Sequence, residues 1–263
     1  MKSLFLISSL LLMSTFAQAY NDEAAAEAEK TKFCNENLFT KLANYQNRMA
    51  FTNQGGLQNG GVCWWHSRFQ RNANSLAVFL PNEPRPRDVK YLVEELKRGN
   101  RVVEIPGYRN LKEFSAIHYR LIQKELEQWQ KKDGFLRFRW IRGLRGYYNV
   151  TPDSLKFIMD NIYEEFTTSN AIMYQKLQMK GVTSHAWLLI DMIKNENGYT
   201  MTVVDSNFTI PRSFTYREGD TSLMYPGSYG RFVPYTEQRN EWGDLERARD
   251  YYCQDYMMSS EVE

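Results

Sequence analysis

Apolar residues recur at helical spacing through the first two thirds of the chain and at strand spacing through the last third. Trp65, Phe69, Ala73, Leu76 and Leu80 stand four, four, three and four residues apart, one stripe of a helix that starts near Cys63. Pro81, Pro84 and Pro86 stop it, because proline lacks an N–H and clashes with the preceding turn. Similar spacing predicts helices over residues 22–49, 88–98 and 110–132, the last with Asn110 as its N-cap. Thr151-Pro152 opens another, which the pattern carries to Gln178. The period then changes. Ala186 to Ile193 is apolar except for Asp191, Asn195-Glu196-Asn197-Gly198 reads as a hairpin turn, and Tyr199 to Val204 is β-branched and aromatic. Extended stretches over 212–217 and 231–235 follow, then a helix over 240–256. Helices first and antiparallel strands last predict a single α+β domain over residues 20–263.

The first 19 residues read differently. Lys2 precedes an apolar run from Leu4 to Phe16, and Ala17-Gln18-Ala19 ends it as an A-x-A cleavage signature. The run is shorter than the ~20 residues a membrane-spanning helix needs. It predicts a signal peptide over 1–19 and a secreted or periplasmic product, with no membrane span in the mature chain. The 33 Lys and Arg nearly balance the 31 Asp and Glu, so the net charge sets up no field for nucleic acid. A 14% aromatic content is enough for a substantial core. The stretch at 135–145 places Arg137, Arg139, Arg142 and Arg145 among aromatic residues. It predicts a solvated edge strand, or alternatively a groove wall for an anionic polymer or cell-wall glycan.

Three cysteines in an exported chain leave an odd thiol. Cys34 and Cys253 lie in polar, helix-like stretches near the two ends, so a Cys34–Cys253 bridge is the economical pairing. Cys63 then keeps its thiol, in a different setting: it follows Gly60-Gly61 and opens a helix. A helix N-terminus favours a negative charge, and the thiolate is the reactive form of cysteine.

A thiol nucleophile also needs a base held by a third polar group. Of three histidines, His118 reads as a packed or surface residue in mid-helix. His66 shares a helix with Cys63 and cannot easily face a substrate carbonyl together with it, so it reads as a packing residue. His185 begins a strand, and the hairpin returns the next strand beside it, with residues 208–210 predicted opposite. Asp205 and Asn207 at that strand's end share a face, and either can accept the Nδ1–H of His185.

Gly61-Val62-Cys63-Trp64 before a helix, Ser184-His185-Ala186-Trp187 opening a strand and Val204-Asp205-Ser206-Asn207 closing the next resemble the papain-like cysteine peptidase superfamily, including its transglutaminase-like and bacteriocin-processing branches. The resemblance covers these motif segments, about a quarter of the chain, and leaves 81–180 unmatched. It implies a helical lobe carrying the nucleophile, packed on an antiparallel sheet. It implies Cys63 as nucleophile, His185 as general base and acid, and Asp205, or alternatively Asn207, as the group orienting His185. A Gln upstream of the Cys completes the oxyanion hole in that superfamily. Papain-type enzymes place it six residues before, where this chain has Leu57, so Gln58 is the candidate. The implied activity is cofactor-free and metal-free acyl transfer on peptide amides, as a cysteine peptidase or amidase with a peptide, protein or cell-wall peptide as substrate. The alternatives are a transglutaminase-like transferase and a non-catalytic peptide- or glycan-binding module.

Overall fold

The computed structural model describes residues 23–133, 148–169, 171–180, 184–225, 227–236 and 239–260. The signal peptide predicted over 1–19 and the arginine-rich 135–145 stretch lie outside them. Among the described residues the chain is α+β, with eight α-helices and a six-stranded antiparallel sheet. Residues 23–35 form α1, and α2 spans Leu38–Ala43. The helices α3 (Cys63–Leu76), α4 (Lys90–Arg98), α5 (Leu111–Ile117) and α6 (Tyr119–Lys131) build the helical half. Then come α7 (Pro152–Thr168) and, at the end of the chain, α8 (Arg239–Ser260).

The strands are β1 (Ala77–Leu80), β2 (Val103–Pro106), β3 (Met173–Met179), β4 (Ser184–Asn195), β5 (Gly198–Asp205), β6 (Arg212–Arg217), β7 (Leu223–Tyr225) and β8 (Gly230–Thr236). β1 and β2 form a separate parallel pair, and the large sheet runs β6-β5-β4-β3-β8-β7. Its two edges curl together: Phe214 on β6 and Tyr225 on β7 stack with ring centroids 5.8 Å apart. One apolar cluster, with Phe69, Leu76, Ala186, Leu188 and Val204, joins α3 to one face of the sheet. Another, with Leu155, Met159, Trp187, Met201 and Phe214, lies under α7 on the other face.

Four sequence readings change. The stripe from Trp65 to Leu80 is not one helix, because α3 ends at Leu76 and residues 77–80 pair with β2. The 22–49 helix breaks at Asn37 and Asn44, whose side chains cap new turns. The 110–132 helix breaks at His118, which ends α5 and starts α6. The helix opening at Thr151 ends at Thr168, and Met173–Met179 is a central strand between β4 and β8. Tertiary pairing overrides helix propensity there. A strand covered on both faces lacks the two-residue alternation that would betray it.

α3 sits at the centre of the molecule. Every residue from Cys63 to Leu76 is buried, so its polar side chains have to find partners inside the protein. Ser67 Oγ donates to Ala186 O at 3.1 Å, Gln70 Oε1 accepts from Met49 N at 2.8 Å, and Asn74 Nδ2 donates to Asn47 O at 2.9 Å. Arg68 and Arg71 each reach Glu241 of α8 at 2.6 Å. These bonds fix α3 in rotation as well as position, which apolar packing alone does not do.

Cys34 and Cys253 are joined, as their places near the two ends predict, and close a loop of 219 residues. Phe33, Val78, Leu80 and Tyr252 pack around the bridge. Among the described residues no helix is long and apolar enough to cross a membrane. Because the cross-link restricts the unfolded chain, the double variant Cys34→Ser/Cys253→Ser should lose about 3–5 kcal/mol in urea unfolding. Non-reducing peptide mapping should recover Cys34 and Cys253 on one cross-linked peptide.

Candidate active site

The site begins with strand register. Gly198 closes the β4–β5 hairpin at φ 144°, where an added Cβ would meet Tyr216 O at 2.1 Å. From that turn the strands pair regularly as far as Asp191 opposite Thr202, and then Leu189 faces Val203, so Ile190 is a bulge. The extra residue brings Trp187 opposite Asp205. His185, two residues before Trp187, therefore shares a face with Asp205. Without the bulge, Leu188 would face Asp205, and imidazole and carboxylate would point to opposite sides of the sheet. The predicted placement of residues 208–210 opposite His185 is thus corrected by the bulge.

His185 Nε2 lies 2.7 Å from Asp205 Oδ1, and the two side chains are fully buried. The predicted contact through Nδ1 is also corrected: the diagonal offset across the strand pair puts the carboxylate at the far nitrogen of the ring. Among the described residues Nδ1 is buried without an oxygen or nitrogen partner. Asp205 is held by other donors as well. Tyr225 Oη donates to Oδ2 at 2.5 Å, and Asn207 N donates to Oδ1 at 2.8 Å. The ring of Tyr229 stacks on that of His185 with centroids 5.5 Å apart and planes within 16°.

Cys63 is the first residue of α3 and is 8% exposed. Among the described residues no side chain caps this end of the helix, so the dipole and the unpaired N–H groups of the first turn act on whatever stands there. Cys63 and His185 interact directly. Burial drives the imidazole toward its neutral form, but the charge of Cys63, the charge of Asp205 and hydrogen bonds to both outweigh it and raise the pKa to about 10. Burial likewise pushes Asp205 up, and the His185 charge with bonds from His185, Tyr225 and Asn207 N turns the net shift below the usual aspartate range. The pair is arranged to be held as imidazolium and carboxylate.

The four other residues weighed in the sequence take different places. Gln58 lies in a single turn of 3-10 helix, Leu57–Asn59, in the loop before Cys63; its side chain lies outside the described residues. Asn207 makes no hydrogen bond to His185. Its backbone braces Asp205, and its amide reaches Asn53 and the hydroxyls of Tyr225 and Tyr229. His66 is buried against Phe51, with Nε2 donating to Phe51 O at 2.9 Å, and burial lowers its pKa to about 4. His118 caps the α5–α6 junction and bonds Tyr108 Oη at 2.6 Å.

Asn53, Tyr225 and Tyr229 escape a sequence reading, since nothing in their local sequence marks them. Their only signals are a Gly/Asn loop ahead of the cysteine and two tyrosines flanking a Pro-Gly turn. No protein-family model, curated protein or solved structure matches this chain.

The charges set a pH window for stability. Asp205, lower in the folded state than its unfolded value of about 3.9, stabilises fully above that value, and this is lost as pH falls from there through the lower folded value. His185, raised to about 10, stabilises fully below its unfolded value of about 6.5, and this fades as pH climbs between the two. Urea midpoints measured from pH 3 to 10 should fall on both sides of neutrality. His185→Ala should remove most of the alkaline slope, and Asp205→Asn should weaken the acid slope. An unchanged alkaline slope in His185→Ala would count against the buried imidazolium.

Proposed function

We propose that this protein is an exported cysteine peptidase or amidase of papain-like type, with Cys63, His185 and Asp205 as its catalytic residues. The observation that carries the reading is the buried imidazole of His185. It is bonded through one nitrogen to Asp205 and subject on its other side to the charge of a cysteine at a helix N-terminus. A structural histidine in a core is satisfied by a single hydrogen-bond partner, whereas a thiolate–imidazolium nucleophile requires both anionic neighbours. The Cys34–Cys253 bridge supports an oxidising compartment, consistent with the signal sequence at 1–19.

In this reading His185 Nδ1 takes the Cys63 proton and Nε2–H stays on Asp205. The thiolate attacks the carbonyl carbon of a peptide amide, forming a C–S bond and an oxyanion. The N–H groups of the first turn of α3 stabilise that oxyanion, with Gln58 as the further donor. His185 returns its proton to the leaving nitrogen as the C–N bond breaks, which leaves a thioester on Cys63. Water, deprotonated by His185, then releases the carboxylic acid and regenerates the thiol. Asp205 keeps the ring oriented and its charge compensated throughout. The apolar setting of the pair strengthens these interactions, because little solvent screens them.

The test is alkylation and turnover together. Iodoacetamide at pH 6 should label Cys63 far faster than an ordinary thiol, which is mostly protonated there, and His185→Ala should slow the labelling while His118→Ala should not. In a screen of fluorogenic peptide amides and cell-wall peptides, Cys63→Ala should abolish hydrolysis and Asp205→Ala should cost ~10²-fold or more in kcat. Asn207→Ala should cost much less. Labelling of Cys63 that follows an ordinary thiol titration would refute the reading.

A further inference from the structure

Cys63 and His185 come from different halves of the fold, so their spacing depends on what joins the loop before α3 to the end of β5. The side chain of Asn53 spans that gap. Asn53 Oδ1 accepts from Val62 N at 2.5 Å, immediately before Cys63. Asn53 Nδ2 donates to Asn207 Oδ1 at 2.9 Å, and Asn53 N donates to Ser206 O at 2.6 Å. Asn207 N in turn donates to Asp205 Oδ1, the oxygen that holds His185. A continuous hydrogen-bonded path therefore runs from the backbone beside the thiol, through Asn53 and Asn207, to the carboxylate behind the imidazole.

The path is also sterically closed. Gly61 has φ +85°, and a Cβ there would stand 2.5 Å from Asn53 Nδ2 and 2.7 Å from its Oδ1. The amide of Asn53 occupies the space that any other residue at 61 would need. The second glycine before the cysteine is thus explained by Asn53 as well as by the turn. On the far side, His66 anchors the strand of chain leading into this loop by its bond to Phe51 O.

We propose that Asn53 is a positioning residue that, through Asn207, fixes the Cys63 turn against the Asp205 end of β5 and so sets the Cys63–His185 geometry. The inference rests on the thiolate–imidazolium reading given above. A primary amide suits the position because it accepts from Val62 N and donates to Asn207 at once, which an ionised carboxylate, having no donor, does not.

The experiment measures iodoacetamide labelling of Cys63 at pH 6 and pH 9 in the full mature chain, for the wild type, Asn53→Ala, Asn207→Ala, their double variant and His185→Ala. At pH 9 an ordinary thiol is largely ionised, so only the pH 6 rate reports the pairing with His185. Asn53→Ala and Asn207→Ala should each slow the pH 6 reaction about fivefold to tenfold, the scale of one hydrogen bond, with little change at pH 9. The double variant should be no slower than the slower single variant, because both remove the same link. If Asn53→Ala does not fold, Asn207→Ala alone decides. A pH 6 to pH 9 ratio unchanged in both, with a lowered melting temperature, would make the strut purely structural and overturn the inference. His185→Ala separates the two failures. If it changes the ratio while the asparagine variants do not, only the strut falls. If it too leaves the ratio unchanged, the underlying reading falls and takes the strut with it.

Discussion

The hydrogen bond between His185 and Asp205 is the constraint around which the rest of this protein is arranged. Removing an imidazolium and a carboxylate from water carries a desolvation cost of several kcal/mol for each ion, and their mutual attraction offsets it only when the remaining lone pairs and protons are satisfied. Here Asp205 receives donors on both oxygens, from His185, Tyr225 and the backbone of Asn207. The ring of His185 is covered by Tyr229 and meets the edge of Tyr225. The cation thus lies against aromatic faces and anions, with little water to screen either. A core of the same volume made only of apolar residues would be simpler to build. The pair stands beside the helix N-terminus that carries Cys63.

That pair in turn relies on two mechanical features. One is the bulge at Ile190, which turns the imidazole and the carboxylate to the same face of β4 and β5. The other is the immobilisation of α3. A helix held only by apolar packing can roll about its axis, whereas α3 is tied by Ser67 to the strand carrying His185 and by Gln70 and Asn74 to the segment before the loop. Arg68 and Arg71 tie it to α8. Since α8 also carries Cys253, the disulfide to Cys34 closes the helical half around α3. Overall stability and the placement of one sulfur atom are therefore linked through the same contacts.

The histidines show how burial and partners divide one residue type into different roles. His66 and His185 are both buried and close enough to feel each other's charge. Burial dominates at His66, whose ring nitrogen meets only a backbone carbonyl, and the ring stays neutral. At His185 the same penalty is overcome by two anionic neighbours. Both rings are fully buried, so the opposite directions follow from the charges of their neighbours, which outweigh burial only at His185.

The sequence by itself determined the candidate residues and most of the element types. A glycine-preceded cysteine opening a helix, a histidine opening a strand and an acid ending the next are local patterns, and so are the Asn-Gly turn and the proline stops. The pairing of Cys34 with Cys253 followed from elimination and context. Only the tertiary structure decided how these residues meet. Met173–Met179 looks like the tail of a helix because both its faces are covered, which erases the alternation that marks a half-exposed strand. The bulge at Ile190 leaves no trace in composition, yet it selects which side chains share a face with His185. Seating Asp205 on the far nitrogen of His185, finding Tyr225 behind the carboxylate and joining Asn53 to Asn207 all depend on contacts between residues up to 154 positions apart. Local pattern carries periodicity and turn chemistry, which act over a few residues. The distance and the face between two such segments are set by the packing of everything between them.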